Sequence, residues 1–237
     1  ARVGVVQAMS LTHEWNDELA QKVRDEECRV DRYEDALGTY LVKLSGRELN
    51  HADSQSVNTL LHTINDLERI SDHSVNLLKA GQEIQEKSIH FSHEAIDDLS
   101  VLEAAVQDIV NRTVDAFQKN DCYAAGKIEP LEQVVDGLVR EVKTRHIARL
   151  QAGACTIEYG FVLDDLLTNY ERIADHCSNI AVAMIEVSED RFDTHEYLNH
   201  IKNGESPSFE KRYERYRGRY TFEPGPSGTA AAPEQKK

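Results

Sequence analysis

The chain is poor in proline and cysteine and contains no long apolar run. Only five of its 237 residues are proline and none precedes Pro130, so long helices can run unbroken through the first half. The four cysteines are too few for a disulfide scaffold and form no CxxC motif, which is typical of a reducing cytosol. Because no stretch of about 18 apolar residues is present, we expect neither a membrane span nor a secretion signal within it.

Basic residues are also scarce. Lys and Arg number 27 against 42 Asp and Glu, which gives a formal net charge of -15. This balance disfavours nucleic acid as a partner, because phosphate backbones are bound by Lys and Arg, and it favours cations. No glycine-rich phosphate loop, nucleophile elbow or HExxH motif occurs, so the sequence predicts that the chain is not an enzyme.

The pattern that does fill the chain is helical. Apolar residues recur at helical spacing, as in Leu60, Ile64, Leu67 and Leu78, and alternating β-branched runs are missing. We therefore predict an all-α protein with six main helices, and Pro130 predicts a kink or a later start in the fifth. The predicted helices span residues 1–15, 17–47, 54–82, 88–119, 122–152 and 155–187.

Within these helices, a glutamate is followed four residues later by an aspartate in four places. The first pair matches the third at an offset of 105 residues and the second matches the fourth at 103, so the chain is an internal duplication. This predicts two tandem three-helix bundles, residues 1–83 with a truncated first helix and residues 84–188, each with its own core. The pairs are Glu27 and Asp31, Glu68 and Asp72, Glu132 and Asp136, and Glu171 and Asp175.

These acid pairs indicate a metal site. Residues four apart share a helix face, and two like charges there repel, a cost that a bound cation would offset. Each pair lies at the rim of its helix's apolar stripe in the same rotational sense, so neighbouring antiparallel helices could turn four carboxylates into one groove per repeat. Such hard oxygen ligands would suit iron, manganese, magnesium, calcium or zinc. The alternative is a solvated acidic surface paired with Lys and Arg.

Two histidines follow the aspartates of the second and fourth pairs. His73 and His176 turn about 100° further from the apolar stripe than their neighbours, so we expect both in solvent. A ferritin-like di-metal oxidase would instead place Glu-x-x-His on inward-facing positions. The four-residue spacing at the helix rim therefore argues against oxygen chemistry.

The last part of the chain, residues 189–237, is predicted to be an extension of the bundles. Short helices are expected in residues 193–203 and 207–219, with disorder from about residue 222, where proline, glycine and alanine dominate. Residues 211–220 are locally cationic, and Tyr213, Tyr216 and Tyr220 share one helical face. We expect this face to dock on the acidic bundle rather than on anionic lipid or nucleic acid.

The second and fourth acid pairs lie in segments that resemble a known family. Residues 67–73 read LERISDH and residues 170–176 read YERIADH, and each follows an ExxVD pair in its own repeat. Over residues 1–187 this doubled pattern resembles the PhoU family of phosphate-transport regulators. The resemblance implies a pair of three-helix bundles that carry multinuclear metal clusters, of iron or zinc, on their surface. It assigns the metal to Glu27, Asp31, Glu68, Asp72, Glu132, Asp136, Glu171 and Asp175.

The extension adds a second resemblance. Residues 195–205, HEYLNHIKNGE, are similar to the cytoplasmic C-terminal part of bacterial sodium/phosphate cotransporters, in which a PhoU-like module follows a membrane domain. Together with the truncated first helix, this predicts a metal-binding regulatory tail of a sodium-dependent phosphate transporter, cytoplasmic and joined to the membrane through an absent N-terminal region. The alternatives are a free cytosolic PhoU-type regulator of a phosphate ABC transporter and a sensor kinase, a di-metal carboxylate oxidoreductase, and a helical scaffold without metal.

Overall fold

The computed structural model describes residues 1–189 and 207–223, which form eight helices and no strand. The all-α prediction is confirmed, and the observed helix bounds lie within a few residues of the predicted ones except where the fifth helix is interrupted. The helices are α1 Arg2–His13, α2 Asp17–Ser45, α3 His51–Glu86, α4 His93–Lys119, α5 Cys122–Ala125, α6 Glu129–Gln151, α7 Ile157–Glu189 and α8 Pro207–Arg219.

Side-chain caps set where several helices begin. The Asn16 side chain accepts a hydrogen bond from the Leu19 backbone N–H at 2.9 Å, and Asp121 does the same for Ala124 at 2.9 Å. After Asp121, however, the helix stops at Ala125 and restarts at Glu129 with Pro130 in its first turn. Proline is tolerated there because its missing N–H would have no partner within the helix. The later start predicted from Pro130 is confirmed.

The two repeats pack against each other through α3 and α7. Buried apolar side chains from both repeats form one continuous cluster, which includes Val5, Leu77, Val106, Val142 and Ile173. The expectation of a separate core in each repeat is therefore wrong, because α3 and α7 bury apolar residues against the other repeat as well as within their own. The predicted unit boundaries, residues 1–83, 84–188 and 189–237, remain sequence-based predictions.

A polar link also joins the repeats beside this core. The Tyr170 hydroxyl, on a fully buried side chain of α7, donates to Glu103 Oε1 on α4 at 2.6 Å. The other oxygen of Glu103 lies 2.7 Å from Nε2 of His13, at the end of α1. The Glu103 carboxylate raises the pKa of His13, and the buried surroundings hold the pKa of Tyr170 well above its usual range. One carboxylate thus ties three helices together.

The first helix is shorter than its counterpart, as predicted. Helix α1 has 12 residues and α4 has 27. On α2, Tyr33 and Leu37 are 63% and 45% exposed. A groove of about 260 Å³ lies between Ala1, these two residues and α3.

Helix α8 docks on the second repeat through its tyrosine face, which confirms the predicted docking. Tyr216 and Tyr220 are buried, and the Tyr220 hydroxyl donates to Asp108 at 2.8 Å. The Arg112 guanidinium lies 5.4 Å from the centre of the Tyr216 ring, a cation–π contact. Helix α8 therefore covers the outer surface of α4 and α6.

Two predictions about the extension fall largely outside the described residues. The predicted helix at 193–203 lies outside them entirely, and so does the predicted disorder from residue 224 onward. Phe222 is described, and its ring packs under the Arg145 guanidinium at 4.8 Å. Within residues 1–189 and 207–223, no helix is both long and apolar enough to cross a lipid bilayer.

Candidate metal centre

Three of the eight predicted acids meet between α6 and α7. Glu132 and Asp136 lie one turn apart on α6, and Asp175 lies on α7. Each offers a carboxylate oxygen, and the three oxygens lie within 4.8 Å of one another. Glu132 is 5% exposed, and the two aspartates are half-buried. In the second repeat, the acidic rims of neighbouring helices do turn toward each other.

The donor set fits a hard cation. An ion that binds oxygen at about 2.3–2.6 Å places two of its ligands up to about 5 Å apart, and the 4.8 Å spread of the three oxygens lies within that span. All three ligand atoms are carboxylate oxygens. Such ligands suit magnesium, calcium, manganese and iron better than they suit a structural zinc ion. Water or further carboxylates would complete the coordination.

Glu171, the fourth predicted acid of this repeat, is not part of the group. It is half-buried on α7, one turn before Asp175. Asp175 also pairs with Arg172, whose Nη1 lies 3.1 Å from its Oδ2. Arg172 therefore balances part of the acidic charge, as the sequence suggests for arginines beside these pairs.

In the first repeat, the predicted acids do not converge in the same way. Among the described residues, no group of three or more ligands forms around Glu27, Asp31, Glu68 and Asp72, and Asp31 is exposed. Three of the four acids therefore meet in the second repeat and no such group forms in the first, so the described residues show four converging carboxylates in neither repeat, and the eight-residue assignment stays a prediction. The two repeats differ locally: α2 runs unbroken from Asp17, whereas residues 126–128 interrupt the matching segment before α6.

The second acid pair still shows the predicted repulsion. Partial burial, the neighbouring Asp72 carboxylate and, to a smaller extent, Glu34 on α2 together raise the pKa of Glu68 to about 7. Arg69 opposes this effect, since its Nε lies 3.7 Å from Glu68 and its Nη1 lies 3.8 Å from Asp72. Without a cation, the like charges on this helix face therefore repel and destabilise the folded chain.

Two residues beside the second-repeat group are not singled out by the sequence motif. Glu129 lies one turn before Glu132 and is also 5% exposed. The Ser178 hydroxyl, one turn after Asp175, donates to Glu129 across the helix interface. The signal that could have identified Glu129 is its three-residue spacing from Glu132, which places both acids on one face of α6.

His73 and His176 lie in the seam between α3 and α7, so the prediction of solvent exposure is wrong. His73 Nδ1 lies 2.8 Å from Asn169 Oδ1, and His176 Nδ1 lies 2.8 Å from Asp66 Oδ1. The two rings are 5.6 Å apart, and burial is the main reason that the pKa of His73 is lowered. Each histidine does point away from its own bundle, but the other repeat covers that face.

Comparison with known proteins also detects both repeats. A PhoU domain profile matches residues 5–80 and 99–184. The phosphate-specific transport system accessory protein PhoU homolog 1 of Thermotoga maritima is 24% identical over 191 residues, which are 80% of this chain and 81% of that protein. A PhoU homolog of Zymomonas mobilis is 25% identical over 168 residues, 70% of this chain and 69% of that protein.

Two crystal structures share the fold. PhoU from Pseudomonas aeruginosa superimposes with a TM-score of 0.74 at 21% identity, covering 80% of this chain and 90% of that one. The phosphate transport system regulatory protein PhoU from Streptococcus pneumoniae gives 0.71 at 17% identity, covering 81% and 89%. These relatives are accessory and regulatory proteins by name, which confirms the prediction that the chain is not an enzyme. Because the domain profile matches most of both repeats, the chain belongs to the PhoU family.

Proposed function

We propose that the chain is an accessory regulator of a phosphate-specific transport system. The observation that carries this proposal is the match of both repeats to the PhoU domain, together with relatives named as accessory proteins of such systems. Its partners would be the membrane components of a phosphate ABC transporter and a sensor kinase, and it would act in the cytoplasm. This role is the free cytosolic regulator, which the sequence allows as an alternative to the transporter tail.

The transporter-tail reading has narrower support. It depends on residues 195–205, which lie outside the described residues, and none of the relatives named above is a sodium/phosphate cotransporter. In the intact gene product, apolar spans of about 20 residues before Ala1 would favour a tail joined to a membrane domain. Their absence would favour the free regulator.

The regulatory role can be tested in cells through phosphate uptake. Deleting the chain from its native host should change the repression of phosphate uptake by high external phosphate, and the intact chain should restore it. A transport system that responds normally to phosphate without the chain would contradict the proposal. Co-purification of the chain with the transporter or the sensor kinase identifies which partner it contacts.

The second part of the proposal is that this regulator binds a hard metal cation between α6 and α7. Its support is the approach of Glu132, Asp136 and Asp175 to within 4.8 Å. The cation would neutralise like charges that otherwise repel and would link α6 to α7. A metal-dependent change in the stiffness of this helix pair is a route by which the ion would affect partner binding. The first repeat would bind metal more weakly, since its acids do not converge.

Metal content measured on matched variants tests this site. Replacing the three converging acids by amides should remove about one equivalent of bound metal and abolish the metal-dependent rise in Tm. At a metal concentration about 100 times Kd, that rise corresponds to about 2.7 kcal/mol of stabilisation. The variant is Glu132→Gln, Asp136→Asn and Asp175→Asn.

The internal duplication supplies the control. The equivalent first-repeat variant removes the same number of charges at positions that do not converge, so it should keep the second-repeat metal and its effect on Tm. Equal metal loss in both variants would show non-specific binding to an acidic surface. Unchanged metal content in the second-repeat variant would show that the three acids do not bind the metal. The control is Glu27→Gln, Asp31→Asn and Asp72→Asn.

A further inference from the structure

A cysteine and a buried histidine face each other where α6 connects to α7. Cys155 lies in the short connection between Gln151 and Ile157 and is half-buried. Its Sγ lies 3.8 Å from Nδ1 of His146 and 4.0 Å from the backbone oxygen of the same residue. The thiol therefore faces a ring nitrogen that can accept its proton.

The surrounding structure holds the imidazole in this orientation. His146 is 9% exposed, and its Nε2 is buried without a hydrogen-bond partner. That nitrogen lies against Gly160 of α7, where a Cβ would approach it to 2.8 Å, so the glycine makes room for the ring. Burial first, and then the nearby Arg149 cation, lower the pKa of His146. A lowered pKa favours the neutral ring, and the tautomer with its proton on Nε2 leaves the Nδ1 lone pair facing the thiol.

The other three cysteines have environments that disfavour reaction. Cys177 is fully buried, and burial raises the pKa of its thiol to about 12. The Cys122 thiol is half-buried and donates to the backbone oxygen of Met184 at 3.7 Å. Cys28 is exposed, but it lies beside the carboxylate of Glu27, which disfavours the thiolate. Among contacts within residues 1–189 and 207–223, Cys155 is the one cysteine whose thiol lies against a histidine nitrogen.

We infer that Cys155 is a site of reversible modification by low-molecular-weight disulfides, with His146 as its base. The thiol proton moves to His146 Nδ1, and the thiolate attacks one sulfur of the disulfide. A new S–S bond forms to Cys155 as the original S–S bond breaks, and the departing thiolate takes the proton from the imidazolium. The disulfide bond passes from the small molecule to Cys155, so the small disulfide is itself the oxidant and no other is required.

This site is separate from the proposed metal centre. His146 lies near the last turns of α6, whereas Glu132 and Asp136 lie in its first turns. Modification of Cys155 would displace the thiol from His146 and change the contact between the α6–α7 connection and the start of α7. The inference does not depend on metal binding, and it can fail or succeed independently of it.

Oxidised glutathione is a suitable probe on the intact chain under native conditions. Peptide mass spectrometry over time should show Cys155 modified at least about tenfold faster than Cys28 at pH 7, although Cys28 is exposed. Exposure alone predicts the reverse order. Added thiol should remove the adduct. Faster modification of Cys28 than of Cys155 would overturn the inference.

Two variants test the role of His146. His146→Gln should slow modification of Cys155 by about tenfold or more and abolish its rise with pH through the imidazole range. Gly160→Ala provides a second route, because its Cβ forces the imidazole to shift while alanine favours the helix, and it should slow the reaction as well. Cys28→Ser is the matched control and should leave the Cys155 rate unchanged. An unchanged rate in a folded His146→Gln or Gly160→Ala variant would exclude the histidine as base.

Discussion

Replacing Gly81 by alanine tests how closely α1 and α3 approach each other. A Cβ at Gly81 would lie 2.8 Å from the backbone oxygen of Leu11 and 3.3 Å from the backbone nitrogen of Thr12. These atoms belong to a helix backbone, so α1 has to move as a unit to relieve the contact. Overpacking of this kind costs about 1–3 kcal/mol, while alanine in a helix gains about 1 kcal/mol over glycine. The difference is a net loss of up to about 2 kcal/mol.

Gly137 is the matched control for this substitution. It lies within α6, and a Cβ there would meet nothing within 4 Å. Gly137→Ala should therefore stabilise the chain by up to about 1 kcal/mol, and the two substitutions should differ in sign. Urea unfolding followed by circular dichroism, in buffer with a chelator, measures both. Equal stabilisation by the two alanines would show that α1 does not approach α3 this closely.

Three further perturbations have signs that the structure determines. Asp98 is buried between Arg145 and Arg149, whose nearest nitrogens lie 3.1 and 2.6 Å from its carboxylate oxygens. Asp98→Asn should lower the free energy of unfolding by about 3 kcal/mol, because two guanidinium groups lose their carboxylate partner. Chemical denaturation measures this change. His13→Gln should destabilise the chain at pH 6 but not at pH 9, because the raised pKa of His13 beside Glu103 contributes stability that is lost as pH rises through it; paired unfolding curves test this. In metal-free protein, the pKa of Glu68 is raised to about 7, so its contribution to stability is complete below about pH 4.5 and is lost as the pH rises through 7. Glu68→Gln should therefore stabilise the chain more at pH 8 than at pH 5. An equal effect on unfolding at both pH values would refute the shift.

The acids of the candidate metal centre are predictable because their spacing is a local property of one helix. Residues four apart share a face wherever the helix lies, and the duplication repeats that spacing. Which of the acids meet is a different question. It depends on how α6 packs against α7 and how α2 packs against α3, which the repeated spacing does not specify. Residues 126–128 interrupt the helix before α6, whereas α2 is continuous from Asp17 to Ser45. Glu129 and Ser178 enter the site for the same reason, although neither belongs to the repeated motif.

The histidines show the limit of reasoning from one helix at a time. The periodicity of α3 and α7 correctly turns His73 and His176 away from their own bundles. It contains no information on what covers that face, and here each repeat covers the other. The single core that spans both repeats has the same origin, since a stripe on one helix does not specify a second partner.

The sequence by itself determined the all-α class, the duplication and most helix ends, together with the docking of the tyrosine face of α8. These features depend on helical periodicity, on caps such as Asn16 and on the position of Pro130, all of which act within a few residues. Only the tertiary structure decided that one acidic group converges while its counterpart does not, and that His146 faces Cys155. Those contacts join side chains of separate segments, and their distances are set by how whole helices pack rather than by local preference.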